Sequence, residues 1–268
     1  MNYNQFNNNW PDFSKLFEST ERFRKMVQPM VDAVQNLIKP IRVILEQDFS
    51  WLADAAKNYS WVKEYYEAIV KLGDAQFVCW DYLDDDFVDT INAAENINKA
   101  LRQHILQDKL EKVNETIKKT CANPKMNKYR RLYDQSVEAF RSGSNDLAVT
   151  GFTSVFDGVL SEVSEKTTHK LTPRINAIKE KLRKSKVLHH DEYTIVTLGF
   201  TIQKTCDSFS KTIPFTKNEP KGLNRNWIAH GRSLKRKTKL DCVKMINLIY
   251  GILLIAELDS SEIEEPDN

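Results

Sequence analysis

An arginine, an amide and a histidine lie within six residues in Arg225-Asn226-Trp227-Ile228-Ala229-His230, and Gly231 follows. These residue types suit chemistry on a phosphate. Histidine titrates near neutrality, so it can take or give a proton. Arginine stays protonated, and its planar fork can hold two phosphate oxygens. Asn226 can hydrogen-bond either the imidazole or the phosphate. RNA carries its own nucleophile, the 2′-hydroxyl. Its cleavage to a cyclic phosphate needs a base for that hydroxyl, an acid for the leaving 5′-oxygen and positive charge beside the phosphorane. This residue set requires no metal and no cofactor for that task.

Spacing constrains how the three groups can meet. Asn226 and His230 are four residues apart and share one helix face. Arg225 lies five residues before His230, about 140° around a regular helix. It can approach the imidazole only if the helix ends near Ala229, or if its long side chain curls back. Gly231 suits a left-handed residue and would provide that ending. An ordinary structural reading competes: His230 sits at a helix C-terminus, where its cation meets the dipole, and Arg225 pairs with an acid.

The elements that must position these residues read as helices. The 268-residue chain contains only 8 Gly and 8 Pro, against roughly 19 and 13 at average usage. A polar start covers 1–10. Helical periodicity follows over 11–47, with Phe13, Leu16, Phe23, Val27, Val34, Leu37 and Ile41 among its apolar positions. Residues 48–72 read as short helices with an aromatic core, and 87–120 as a charged helical stretch. Asp84-Asp85-Asp86 lacks the alternating ligands and turn glycine of a calcium loop, so it reads as a solvated loop or helix start. Breakers at 121–125 place a domain boundary at 123/124. Beyond it the pattern predicts helices at 128–141, from 145, at 174–184, 191–211 and 240–258, with a turn at 142–144. The tail 259–268 is acidic.

Composition excludes several classes. No apolar run is long enough for a membrane span. The start has neither a basic nor an apolar signal region. Cys79, Cys121, Cys206 and Cys242 are far apart, which argues against a zinc site and fits a reducing cytoplasm. No nucleotide-binding glycine pattern, nucleophile elbow or repeat occurs. Residues 121–256 carry 24 Lys+Arg against 12 Asp+Glu, a net of +12, while 1–120 carry 15 against 19, a net of −4. The basic excess thus lies with the motif, as an RNA partner requires. Arg232, Lys235, Arg236, Lys237 and Lys239 are the candidate RNA-binding residues.

Asn224-Arg225-Asn226, then His230-Gly231 ahead of a long C-terminal helix, resembles the HEPN superfamily. Its signature is an arginine, four to six residues and a histidine, with a polar residue after the arginine. The hairpin from Ala139 to Leu160 resembles the first helix pair of defence-type HEPN domains, in many of which the position of Asp157 holds a glutamate. Together the two resemblances cover most of 128–256. They imply an all-α fold: an HEPN-like helical bundle over 124–258, preceded by a second helical region over 11–123. They also imply a metal-independent endoribonuclease acting as a toxin or phage-defence effector, with Arg225, Asn226 and His230 as its catalytic residues. The partners implied are RNA, a second copy of the chain whose motif faces the same cleft, and an antitoxin or other regulatory protein. The competing function is a non-catalytic helical module that binds RNA or protein.

Overall fold

Apolar residues at helical spacing, with few chain breakers between them, produce an all-α protein. The computed structural model describes residues 60–80, 84–108, 110–166, 173–178 and 192–260, and every regular element among them is helical. Helix α1, Ser60–Asp74, is followed by α2, Asp85–Ala93, α3, Ile97–Leu101, a π-helical turn, Arg102–Asp108, and α4, Leu110–Ala122. A 3-10 turn, Pro124–Tyr129, precedes α5, Arg130–Arg141, and α6, Asn145–Ser164. Then come a short helix α7 at 173–178, α8, Glu192–Phe209, the one-turn α9, Arg225–Ala229, and α10, Lys239–Ser260. The polar start, the periodic stretch 11–47, positions 48–59, positions 179–184 of the expected short helix and the tail beyond 260 lie outside the described residues. No described helix is long and apolar enough to cross a membrane.

The centre of the molecule is α6 packed along α10, with α5 on α6 and α4 on α10. α10 is apolar on nearly every side: Val243, Ile246, Ile249 and Leu253 are buried, and so are Met245, Leu248, Ile252 and Ile255. A helix apolar all round is stable in water only when neighbours surround it. Its start is set locally. Asp241 accepts the Thr238 N–H at 2.8 Å while Thr238 Oγ1 accepts the Asp241 N–H at 3.3 Å, a reciprocal cap. The Ser142–Ser144 turn reverses the chain between α5 and α6, as expected. Gly158 lets the 3-10 turn lie close on α6, because a Cβ there would collide with the Tyr129 ring.

Three expectations meet a more detailed outcome. The stretch 87–120 is not one helix. It stops at Ala94 and restarts at Asn96, whose side chain accepts the Lys99 N–H at 3.1 Å, and it then passes through the π-helical turn. Short polar side chains that bond nearby backbone interrupt helices in this way. The aspartates at 84–86 do form a helix start: Asp84 caps α2 by accepting the Phe87 N–H at 2.8 Å. At the 123/124 boundary, Asn123 caps the 3-10 turn through the Lys125 N–H and also donates to Glu257 on α10 at 2.6 Å. The apolar core runs across this point, from Leu72 on α1 and Ile117 on α4 to Phe156 on α6 and Leu253 on α10. The described part of the N-terminal region therefore shares its core with the C-terminal helices.

Candidate functional site

The motif is carried by the segment between α8 and α10, and its backbone is held by side chains at each step. Gln76, just after α1, clamps its entry: Oε1 accepts the Leu223 N–H at 2.6 Å and Nε2 donates to the Leu223 carbonyl at 2.8 Å. Asn224 caps α9 by accepting the Trp227 N–H at 3.3 Å, and its Nδ2 donates to the Lys211 carbonyl at 2.8 Å. Trp227 is buried, and its Nε1 donates to the Ile213 carbonyl at 3.3 Å. One turn later the helix ends at Gly231, whose φ is +62°. The Gly231 N–H donates to the Ile228 carbonyl at 3.0 Å and the Arg232 N–H to the Trp227 carbonyl at 2.8 Å. These paired bonds are the left-handed glycine cap for which Gly231 was suited. A side chain at this φ would be strained.

Arg225 points at α6. Its Nε and Nη2 donate to the Asp157 carboxylate at 3.0 and 2.6 Å, and its Nη1 donates to Asn226 Oδ1 at 3.2 Å. Behind this pair lies a second arginine. Arg174, on α7, is buried; its Nη1 donates to the Asp157 carbonyl at 2.8 Å and to Ser161 Oγ at 2.6 Å, and its Nη2 is 3.8 Å from Asp157 Oδ1. Burial pulls the Arg174 guanidinium below its ordinary pKa; Asp157 opposes that shift and the nearby Arg225 charge adds to it. Two guanidiniums thus face one carboxylate.

His230 faces elsewhere. It is exposed, its N–H donates to the Asn226 carbonyl at 3.1 Å, and its ring lies edge-on to Phe215 with centroids 5.7 Å apart. Among the described residues no hydrogen bond joins Arg225 to His230. Two elements of the ordinary structural reading are therefore present: the arginine pairs with an acid, and the histidine sits at a helix C-terminus. The histidine is nevertheless open to solvent, and the arginine is only partly buried.

The basic run divides. Lys237 is buried; its ammonium bonds Ser233 and lies 3.5 Å from Glu219, and its backbone N–H donates to Asp146 at 2.8 Å. It braces the loop and is not on the open surface expected of it. Arg232, Lys235, Arg236 and Lys239 are exposed, although Lys235 also donates to the Glu219 and Pro220 carbonyls. Glu219 gathers this loop, accepting from Ser233 Oγ and from the Leu234 and Lys235 N–H groups. Burial would raise its pKa, but those bonds and Lys237 outweigh it and hold the carboxyl below its ordinary value.

Sequence reasoning did not single out Gln76, Arg174, Phe215 or Glu219, and it placed Asp157 only by resemblance. Arg174 and Phe215 carried one signal each: an arginine opening a short helix in a basic stretch, and an aromatic in a Pro-flanked polar loop. No local pattern marks Gln76 or Glu219. Among the described residues no group of three or more His, Cys, Asp or Glu side chains is arranged to hold a metal ion. Comparison of the chain with known protein families, curated proteins and solved structures returned no match.

Proposed function

We propose that the chain is a metal-independent endoribonuclease of the HEPN type, with Arg225, Asn226 and His230 at its site. The observation that carries this reading is the one-turn helix ended by Gly231, which presents Arg225 anchored and His230 exposed. Arginine has five N–H donors. Asp157 and Asn226 engage three of them, on Nε, Nη1 and Nη2, which leaves two for a phosphate. An anchored arginine is an advantage here, since preorganised charge stabilises a transition state without reorganising.

In the proposed reaction a neutral His230 takes the proton of the 2′-hydroxyl. The oxygen attacks phosphorus, the bond to O5′ breaks, and the products are a 2′,3′-cyclic phosphate and a free 5′-hydroxyl. The departing O5′ needs a proton, which a protonated His230 from a second copy supplies. Arg225 stabilises the phosphorane charge, and Asn226 holds the Arg225 fork. Two copies sharing one cleft follow from this need for a second histidine. A toxin or defence role, with an antitoxin or regulatory partner, belongs to the same proposal. One observation favours a second reading: Asp157 neutralises much of the Arg225 charge, as in a module that binds RNA without cutting it.

The test uses purified protein and labelled RNA, with and without chelator. Cleavage should persist in chelator and fail where the 2′-hydroxyl is replaced by hydrogen. His230→Ala and Arg225→Ala should each lose about a hundredfold in rate with the fold intact. RNA bound but left uncut by the wild type would favour the binding module. Equal cutting by wild type and His230→Ala would end the catalytic assignment.

A further inference from the structure

We infer that Phe215, with Arg232, forms a stacking subsite for an unpaired nucleobase beside His230, which makes single-stranded RNA the substrate. The inference rests on the ribonuclease proposal and adds a base-recognising end to a site described so far only by its phosphate end. Of the described phenylalanines, Phe77, Phe87, Phe140, Phe152, Phe156, Phe200 and Phe209 are buried, whereas Phe215 is 44% exposed. Single exposed apolar side chains are ordinary, so the groups gathered around this ring carry the argument.

The ring is also held in place. It follows Pro214 in a turn closed by the Lys217 N–H donating to the Pro214 carbonyl at 3.0 Å. The buried Trp227 meets it edge-on at 5.3 Å, and Trp227 is itself tethered to the Ile213 carbonyl. His230 meets it at 5.7 Å and 72°. The Arg232 guanidinium lies over the ring, 5.6 Å from its centroid. An exposed aromatic with a planar cation above it is the pairing on which single-stranded bases stack. The ring thus touches the proposed general base. A base seated there would bring its own ribose and phosphate to His230. A duplex cannot use the subsite, because its base faces are already stacked within the helix.

The experiment measures cleavage and binding of three labelled RNAs by the full chain. These are a single strand, the same strand annealed to its complement, and the single strand with one abasic ribose beside the cut. Phe215→Leu keeps apolar cover on Trp227 but removes the stacking face. It should raise KM and Kd for the single strand by about tenfold while kcat stays within about twofold and the melting temperature holds. Phe215→Trp should restore tight binding. The abasic strand should bind the wild type as weakly as it binds Phe215→Leu, with no further loss when the two changes are combined. The inference is overturned if Phe215→Leu handles all three RNAs as the wild type does, or if duplex and single strand are cut equally. The ribonuclease proposal survives those results. If the wild type neither binds nor cuts any of the RNAs, that proposal fails and takes this inference with it.

Discussion

The α6–α10 pair and the segment that carries α9 are built on different physics. α6 and α10 bury almost entirely apolar faces against each other and their neighbours, with Phe152, Phe156, Ile249 and Leu253 wholly enclosed. The segment from 211 to 238 buries few large side chains, and polar contacts hold it in shape: Gln76 at its entry, Asn224 as cap, Asp157 on Arg225, and Glu219 on Ser233 and Lys237. Apolar burial is non-directional and grows with area, so it is suited to stability. Hydrogen bonds contribute little net energy each but are directional, so they are suited to holding a side chain at a required angle. The contrast explains how a five-residue helix, too short to be stable alone, can present its side chains reproducibly.

The largest expected effect lies in the first region. Phe156→Ala, on α6 and edge-on to Phe209, should cost about 3–5 kcal/mol through lost burial and the cavity left behind. Denaturant titration measures it. A loss below about 1 kcal/mol would mean that the apolar packing of α6 against its neighbours does not carry the stability.

Next comes the contact between the two regions. Asp157→Asn leaves Arg174 buried beside a neutral amide and frees Arg225. A fully buried pair broken in this way costs about 3–5 kcal/mol; Asp157 keeps some solvent access, so about 2 kcal/mol is expected. Cleavage should fall by at least tenfold even where the protein remains folded. Paired melting and rate measurements separate the two effects. Lost stability with an unchanged rate would make Asp157 purely structural.

The smallest effect concerns a polar intrusion in the apolar region. Lys244 on α10 is buried, donates to Asn98 Oδ1 at 2.8 Å, and burial pushes its ammonium down to about 8. An unfolded lysine titrates near 10.4. Between about pH 8 and 10.4 the unfolded chain keeps a proton that the folded chain has released, so stability rises with pH across that window. Below it both states are charged and the cost of burying the charge is constant. Lys244→Met should therefore stabilise by about 1 kcal/mol at pH 7, the Asn98 bond lost offsetting part of the gain. The advantage should fade towards pH 10. Urea midpoints at pH 7 and pH 10 check both sign and slope. A variant less stable than wild type at pH 7 would show that the Asn98 bond outweighs the burial of charge.

Much of the framework was legible in the sequence because it depends on near neighbours in the chain. The turn at 142–144, the long apolar helix at the C-terminus, the aspartate helix start and the end of the motif helix at Gly231 all follow from helical periodicity or from caps that act over three or four residues. The break at Asn96 is local too, but a single capping amide inside a periodic charged stretch is easily outweighed by the pattern around it.

The sequence by itself determined an all-α chain and a helix ending at Gly231 beside an arginine and a histidine. Only the tertiary structure decided what those residues meet. Asp157 reaches Arg225 across 68 residues and Gln76 reaches Leu223 across 147, and such pairs exist only once helices have packed. The same holds for Lys237: in the sequence it is one of four cations in a basic run, and in the fold it is buried against Glu219 while Lys235, Arg236 and Lys239 stay outside. The continuity of the core across residue 123 has the same origin, since breakers mark where a backbone turns and packing decides which helices then share an interior. Local rules act through backbone geometry, which every stretch of sequence carries with it, whereas the partners of a side chain depend on how separate helices come together.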